Sequence, residues 1–446
     1  MRKAAARLLV AGTGSGCGKT TAVCAILQAL KNRGEDVMSF KCGPDYIDPM
    51  FHTEIIGTES ANVDLYFAGE VLAKSLFLKH ARSLNVIEGV MGYYDGLSMS
   101  SAEASSWHVA GALDAPALLV VNTQGMALSA AAAVKGFLSL RSPSRVAGVL
   151  LNRVSPMTYP QLKDVIEAEC GVRVYGWLPA MPECALESRH LGLVTAREVE
   201  DLRGKLQRLA AQAEKSVDLD GLIALMRGQP GLEAEEISEE KIGDVTIAVA
   251  SDRAFCFYYR DNLELLEALG ARLVTFSPLH DAALPPCDGL YLGGGYPELY
   301  AEALSKNESM RASVHAAVEG GLPTVAECGG FMYLTEAIAG HPMAGALPGG
   351  CANRGKLVRF GYAELRAEQD SLLFAAGDAI RGHEFHYWDA AAPGEALTAV
   401  KPSGRSWRCA HVSHTLYAGF PHLYFPSAPE AARRFVRKCL ERKNGH

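Results

Sequence analysis

The 446-residue chain has no CxxC pair and no apolar run long enough to cross a bilayer. Its eleven cysteines stand singly and are odd in number, which excludes a disulfide framework and the common zinc spacings. They point to reduced thiols in a cytoplasmic protein. A surplus of positive charge is also missing, since 43 basic against 50 acidic side chains leave a formal charge of −7. That excludes a general binder of nucleic acid while permitting local basic pockets. There is no short repeat and no low-complexity tract. What remains is an ordinary globular composition, 49% apolar and 21% charged, long enough for two or three domains.

The opening MRKAAARLLVAG briefly imitates a signal peptide, but its apolar run is short and leads into a glycine-rich loop. It is expected to be a buried strand of a soluble protein. Short apolar runs then alternate with helical patterns. Strands are expected at 7–11, 37–40, 85–87, 117–121 and 146–151, and a helix at 19–32. Such alternation implies a parallel sheet covered on both faces. After Thr195 the composition turns to Glu, Lys, Arg and Ala and ends in EAEEISEEK, read as a solvated helix followed by a linker. A second α/β pattern begins near 242, with strands at 245–249, 273–276, 290–292 and 324–326 and a helix at 262–269. The expected organisation is α/β in two domains, 1–195 and 242–446, each a mostly parallel doubly wound sheet, joined through 196–241.

Directly after the first strand, Gly12-Thr-Gly14-Ser-Gly16-Cys-Gly18-Lys19-Thr20-Thr21 opens a helix. Converging backbone N–H groups, a lysine and a hydroxyl are what a nucleotide triphosphate with Mg²⁺ requires. The strict spacing wants glycine at position 13, which is threonine, so the loop is a lengthened variant. Ligands bind beyond the carboxyl ends of parallel strands, and the expected strands here all run into polar groups. They end at the phosphate loop, at Lys41-Cys-Gly-Pro-Asp45-Tyr46-Ile-Asp48, at Glu88, at Asn122 and at Asn152-Arg153. Asp45, Asp48 and Glu88 are hard oxygen donors suited to Mg²⁺, and Asn152 is a candidate reader of an adenine edge. Gly43-Pro44 also gives the second loop a purely structural reason to turn.

In the second half, the strand at 324–326 leads through Glu327 to Cys328-Gly329-Gly330 and an apolar helix. A cysteine at a tight strand-to-helix turn is expected to present its sulfur outward, with the helix N-terminus favouring the thiolate. Gly293-Gly294-Gly295 ends another strand and offers backbone N–H groups for an oxyanion. Candidate bases are His383, His386 and His422. The first two, three apart on a strand, are expected to face opposite sides, which excludes a joint metal role.

Taken together, GTGSGCGKTT, KCGPDYIDPMFH, NVDLYF, VIEGVMGYYDG and LLNRV resemble the synthetase half of the cobyrinic acid a,c-diamide synthase family. SDRAFCFYYRDNLELLE, FSPLHD, GLYLGGGYPELYA, ECGGFMYL and RGHEFHY resemble its class I glutamine amidotransferase half. The resemblance covers nearly the whole chain in the same domain order. It implies a P-loop NTPase-like domain that uses ATP and Mg²⁺ to activate two tetrapyrrole acetate carboxylates as acyl phosphates. Ammonia from glutamine hydrolysis then amidates them. It implies Cys328 as nucleophile and His422 as its base, with Gly294 and Gly295 in the oxyanion-hole segment. Gly14, Gly16, Gly18, Lys19, Thr20, Thr21, Asp45, Asp48 and Glu88 fall in the ATP–Mg²⁺ and carboxylate-activation segments, and Tyr46 in the substrate loop. Position 424, where many class I glutaminases carry Glu, is Tyr, which implies a Cys–His dyad. The expected partners are small molecules (a corrin or related tetrapyrrole, glutamine and ATP) with no nucleic acid and no membrane, and assembly as a homodimer stays open. Ni-sirohydrochlorin and hydrogenobyrinic acid a,c-diamide synthases share these motifs. A partition-type ATPase switch with a non-catalytic glutaminase-like module is the alternative from another class.

Overall fold

Seven short apolar strands build the first sheet. They are β1 (Ala6–Gly12), β2 (Val37–Cys42), β3 (Ser60–Val63), β4 (Leu84–Glu88), β5 (Ala117–Asn122), β6 (Val146–Asn152) and β7 (Val174–Leu178). Their order is β3-β2-β4-β1-β5-β6-β7, and every pairing is parallel. Consecutive residues within the strands are buried on both faces, as ARLLVAG and VMSFKC are, because helices cover both sides. The chain leaves β1 toward β2 on one side and later fills β5 on the other, so the switch point lies beside β1. The computed structural model describes residues 2–186 and 202–445. The expected boundary at 195/196 falls outside the described residues.

The chain divides into two compact units, 1–237 and 238–446. The helix expected to be solvated within 196–241 is corrected over its described part, which starts at Leu202. Helix α2 (Leu202–Ser216) packs on α1 (Lys19–Asn32), burying Leu202, Leu206, Leu209, Ala210 and Ala213 along one side. Arg33 pairs with Glu214 and Asp220, both at 2.7 Å, at the edge of this contact. Helix α3 (Leu219–Arg227) follows, and its exit is tied to β1 by the fully buried Arg7. That guanidinium donates to the carbonyls of Leu113, Ala5, Pro230 and Asp114, so four of its five N–H donors are matched where its charge is buried.

The second unit carries β8 (Val245–Ala250), β9 (Ala271–Phe276), β10 (Gly289–Leu292), β11 (Thr324–Glu327), β12 (His411–Val412) and β13 (Leu416–Gly419) in the order β9-β8-β10-β11-β13-β12. Only the edge pair β12–β13 is antiparallel. Val245, Ile247 and Val249 enter one core and Ala248 and Ala250 the other, the period-two signature of a strand buried on both faces. The expectation of a doubly wound sheet needs one addition. On the Val245 side lies a five-stranded antiparallel sheet built from Ser406–Cys409, Leu397–Val400, Arg359–Ala367, Ala379–His386 and His422–Leu423. Ala363, Leu365 and Ala367 alternate inward from it into that same core. All eleven cysteines are free, and no helix among the described residues is long and apolar enough to cross a membrane.

Candidate active sites

In the first unit, β1 runs into the glycine loop and α1 begins at Lys19, with Gly18 in the left-handed region at φ 95°. Asn152, at the end of β6, fills the space beneath it. A Cβ at Gly18 would stand 1.9 Å from the Asn152 amide nitrogen, so glycine is required there. That amide donates to the Cys17 carbonyl at 2.8 Å. The residue expected to read an adenine edge thus has a buried amide that braces the loop. Beside Gly14 and Gly16 a Cβ would meet nothing within 4 Å, which leaves the loop's outer face open. Thr21 follows in the first turn of α1.

The acids expected around this loop come together. The Thr20 hydroxyl donates to Glu88 Oε1 at 2.7 Å, and Lys41 Nζ lies 3.1 Å from the same oxygen. Lys41 also contacts Asp48 directly and lies 3.8 Å from Asp45. His52 Nε2 is 3.5 Å from Glu88 Oε2, and its other ring nitrogen meets the Ser39 hydroxyl at 2.8 Å. Burial alone would favour a neutral Lys41 amine. Asp48, Glu88 and Asp45 outweigh it and hold the ammonium well above its usual range. Burial and then the Asp48 charge push Asp45 up to about 7. Asp48 is held low because Lys41 overcomes its own burial. Burial, aided by Lys41, draws Lys19 down, and its ammonium donates to the Met91 carbonyl at 3.4 Å. Met91 itself sits at φ 46°, a strained position for a side-chain-bearing residue at the mouth of the loop. Asp45 Oδ1 accepts the Ile47 N–H at 2.8 Å, closing the turn, and Tyr46 next to it is buried. A hydroxyl, two carboxylates and an open glycine face fit a Mg²⁺–nucleotide donor set. Lys41 and His52 were not among the expected site residues. The signal available for Lys41 was its place near the end of β2, opposite the phosphate loop.

In the second unit, Cys328 caps the short helix Gly329–Leu334 at φ 48°, the strained turn of a nucleophile elbow. A Cβ at Gly330 would lie 2.1 Å from the Leu292 carbonyl, so the turn closes onto β10 only with glycine. The expectation of an outward sulfur and a favoured thiolate is corrected on both counts. Cys328 is 8% exposed among Phe331, Met332 and Phe420, and burial followed by the Glu298 charge pushes its thiol far up. The helix has only six residues, and the Gly329 N–H offsets little of that.

His422 reaches this turn from the edge of the antiparallel sheet, paired in register with His383, and the two rings stack at 4.9 Å. A Cβ on Gly294 would stand 2.4 Å from the His422 ring, and one on Gly329 would stand 3.1 Å from the Gly295 nitrogen. Gly294 and Gly295 therefore lie against His422 and against the turn that follows Cys328. Glu327, absent from the expected set, lies with Oε2 3.8 Å from His422 Nδ1. Tyr424 occupies the position of the usual acid and sends its hydroxyl elsewhere, to Asp261 at 2.7 Å. His386 turns to Glu384 at 2.9 Å and stacks on Phe420 at 4.0 Å, so it and His383 do not share a metal.

A phosphate loop over a cluster of acids and a strained thiol beside a histidine define a glutamine-dependent amidoligase. A family model described as a CobQ/CobB/MinD/ParA nucleotide binding domain matches residues 8–194, and a CobB/CobQ-like glutamine amidotransferase domain matches 246–429. Curated proteins named cobyrinate a,c-diamide synthase match almost end to end. The one from Caldanaerobacter subterraneus is 40% identical and covers 97% of this chain and 98% of its own. Those from Salmonella typhimurium (40%; 96% and 97%) and Gloeobacter violaceus (42%; 97% and 97%) match as fully. The chain belongs to the cobyrinate a,c-diamide synthase family.

Proposed function

We propose that the chain amidates the a- and c-acetate carboxylates of cobyrinate, using glutamine as nitrogen donor and ATP–Mg²⁺ as activator. The observation that carries this reading is the full-length match to proteins of that name in a chain holding both half-sites. Because the resting thiol is held neutral by burial, its proton passes to His422 as the sulfur attacks the glutamine carboxamide. Backbone N–H groups of Gly294 and Gly295 receive the oxyanion. The imidazolium then gives its proton to the leaving nitrogen, ammonia departs, and water hydrolyses the glutamyl thioester to glutamate and free thiol.

A carboxylate is a poor electrophile until its oxygen becomes a leaving group. In the first unit the acetate oxygen attacks the terminal phosphoryl group, ADP leaves, and an acyl phosphate forms. Ammonia attacks its carbonyl carbon and inorganic phosphate departs. Lys19 and the loop N–H groups hold the phosphates, while Lys41 with Asp48 fixes the charge of the acidic cluster. Thr20, Glu88 and Asp45 would hold Mg²⁺, which neutralises phosphate charge when bound. Eleven free thiols suit the cytoplasm.

The test is incubation with cobyrinate, ATP–Mg²⁺ and glutamine, followed by mass spectrometry. Two successive amidations are expected. Parallel reactions with sirohydrochlorin, with and without nickel, reassign the substrate if only they yield diamide. No product from any of them would favour a nucleotide-driven switch.

A further inference from the structure

Resting on the reading that Cys328 and His422 hydrolyse glutamine, we infer that Glu327 is the positioning carboxylate of His422. It thereby completes a triad whose acid precedes the nucleophile instead of following the histidine. Glu327 is 1% exposed, and β11 delivers it from the residue immediately before Cys328. Its Oε2 lies 3.8 Å from His422 Nδ1, beyond a hydrogen bond, a separation that substrate binding closes in many resting hydrolase sites. Two donors aim the carboxylate. The Leu423 N–H reaches Oε1 at 3.1 Å and the Tyr291 hydroxyl reaches Oε2 at 3.2 Å. The segment beyond His422 is pinned in turn by Asn262, which donates to the Leu423 carbonyl and accepts the Phe425 N–H, both at 2.8 Å. One carboxylate thus grips the backbone next to His422 and also stands opposite its Nδ1. The usual acid position cannot serve, because the Tyr424 hydroxyl is committed to Asp261.

The chemistry asks for this group. As the Cys328 proton arrives on His422, the ring becomes an imidazolium in a buried pocket, where an unpaired charge is costly. A carboxylate at this place fixes the tautomer with the proton on Nδ1 and stabilises the cation. Glu327 from β11 and His383 from the paired strand face His422, with Cys328 next to Glu327 in the chain, and Tyr291 of β10 donates to Glu327. Burial and then the His422 charge hold His383 well below the usual histidine range, and its Nδ1 meets the Tyr259 hydroxyl at 3.0 Å. His383 is therefore a neutral neighbour that does not supply the charge.

The experiment measures initial rates of glutamine hydrolysis against pH for the full chain and for Glu327→Gln and Glu327→Asp. The amide should lower kcat on the order of 100-fold with KM changed little, as expected when a general base loses its orienting charge. The acid limb of its pH profile should move to lower pH, because the imidazolium has lost its counter-charge. Aspartate keeps the charge one methylene further away, so Glu327→Asp should lose less rate and keep the limb in place. Turnover within roughly threefold of the parent for Glu327→Gln overturns the assignment. So does a lower rate with an unmoved limb, which marks a purely structural carboxylate. If the amide variant does not fold, a displaced limb in Glu327→Asp also overturns it. Cys328→Ala and His422→Ala are run alongside, and if they still hydrolyse glutamine the glutaminase reading itself has failed.

Discussion

Cys328 shows how one residue type carries two opposed demands. Its φ of 48° holds it at the strained strand-to-helix turn, while burial and the Glu298 charge keep the thiol protonated until a base acts. Burial also raises Glu298 itself to about 7, so it is ionised above neutral pH. Replacing Glu298 with Gln removes a negative charge that disfavours the thiolate, and the Cys328 pKa falls. Alkylation of Cys328 by iodoacetamide at mildly alkaline pH should accelerate roughly three- to tenfold, read by mass spectrometry of the labelled peptide. An unchanged rate would mean that burial alone sets the thiol. The position of Cys328 at a strand-to-helix turn was legible from glycines and an apolar run. Its charge state was not, because its burial is shared with Phe331 and with Phe420, which is more than ninety residues away in the chain.

At the scale of elements, local sequence was most informative where one period dominates. The helix expected at 19–32 is Lys19–Asn32, and the strand cores match to within a few residues at their ends. It was least informative where composition hides a pattern. The Glu/Lys/Ala-rich stretch after 202 looks solvated by count, yet Leu202, Leu206, Leu209 and Ala213 recur at helical spacing and bury against α1. The two-residue strand His422–Leu423 has no period to read, since only pairing with Gly382 and His383 defines it. If α2 belongs to the first unit's core, Leu209→Ala should cost about 2–5 kcal/mol in urea unfolding of the full chain. Arg33→Ala, at the exposed rim of the same contact, should cost under about 1 kcal/mol. Equal and small losses at both sites would make α2 an ornament of the surface.

For the whole molecule, the physical question is why two unrelated chemistries share one chain. Ammonia is protonated and dilute in water at neutral pH, so a synthetase gains when the amine is released as the electrophile is made. This dependence runs one way. On the proposed mechanism, removing the source leaves an acyl phosphate able to accept added ammonia, whereas removing the activator leaves nothing to amidate. Cys328→Ala should therefore abolish glutamine-dependent amidation and retain it with ammonium salts. Lys19→Ala should lose amidation with either nitrogen donor, by on the order of 100-fold or more, because phosphate positioning and charge neutralisation are most of phosphoryl-transfer catalysis. Glutamate release by Lys19→Ala should persist, since Cys328 and His422 belong to the other unit. Product formation and glutamate release, followed separately in each variant, distinguish the outcomes. Normal amidation by Lys19→Ala would remove the phosphate loop from the reaction, and loss of both nitrogen routes in a folded Cys328→Ala would show that the thiol serves more than glutamine.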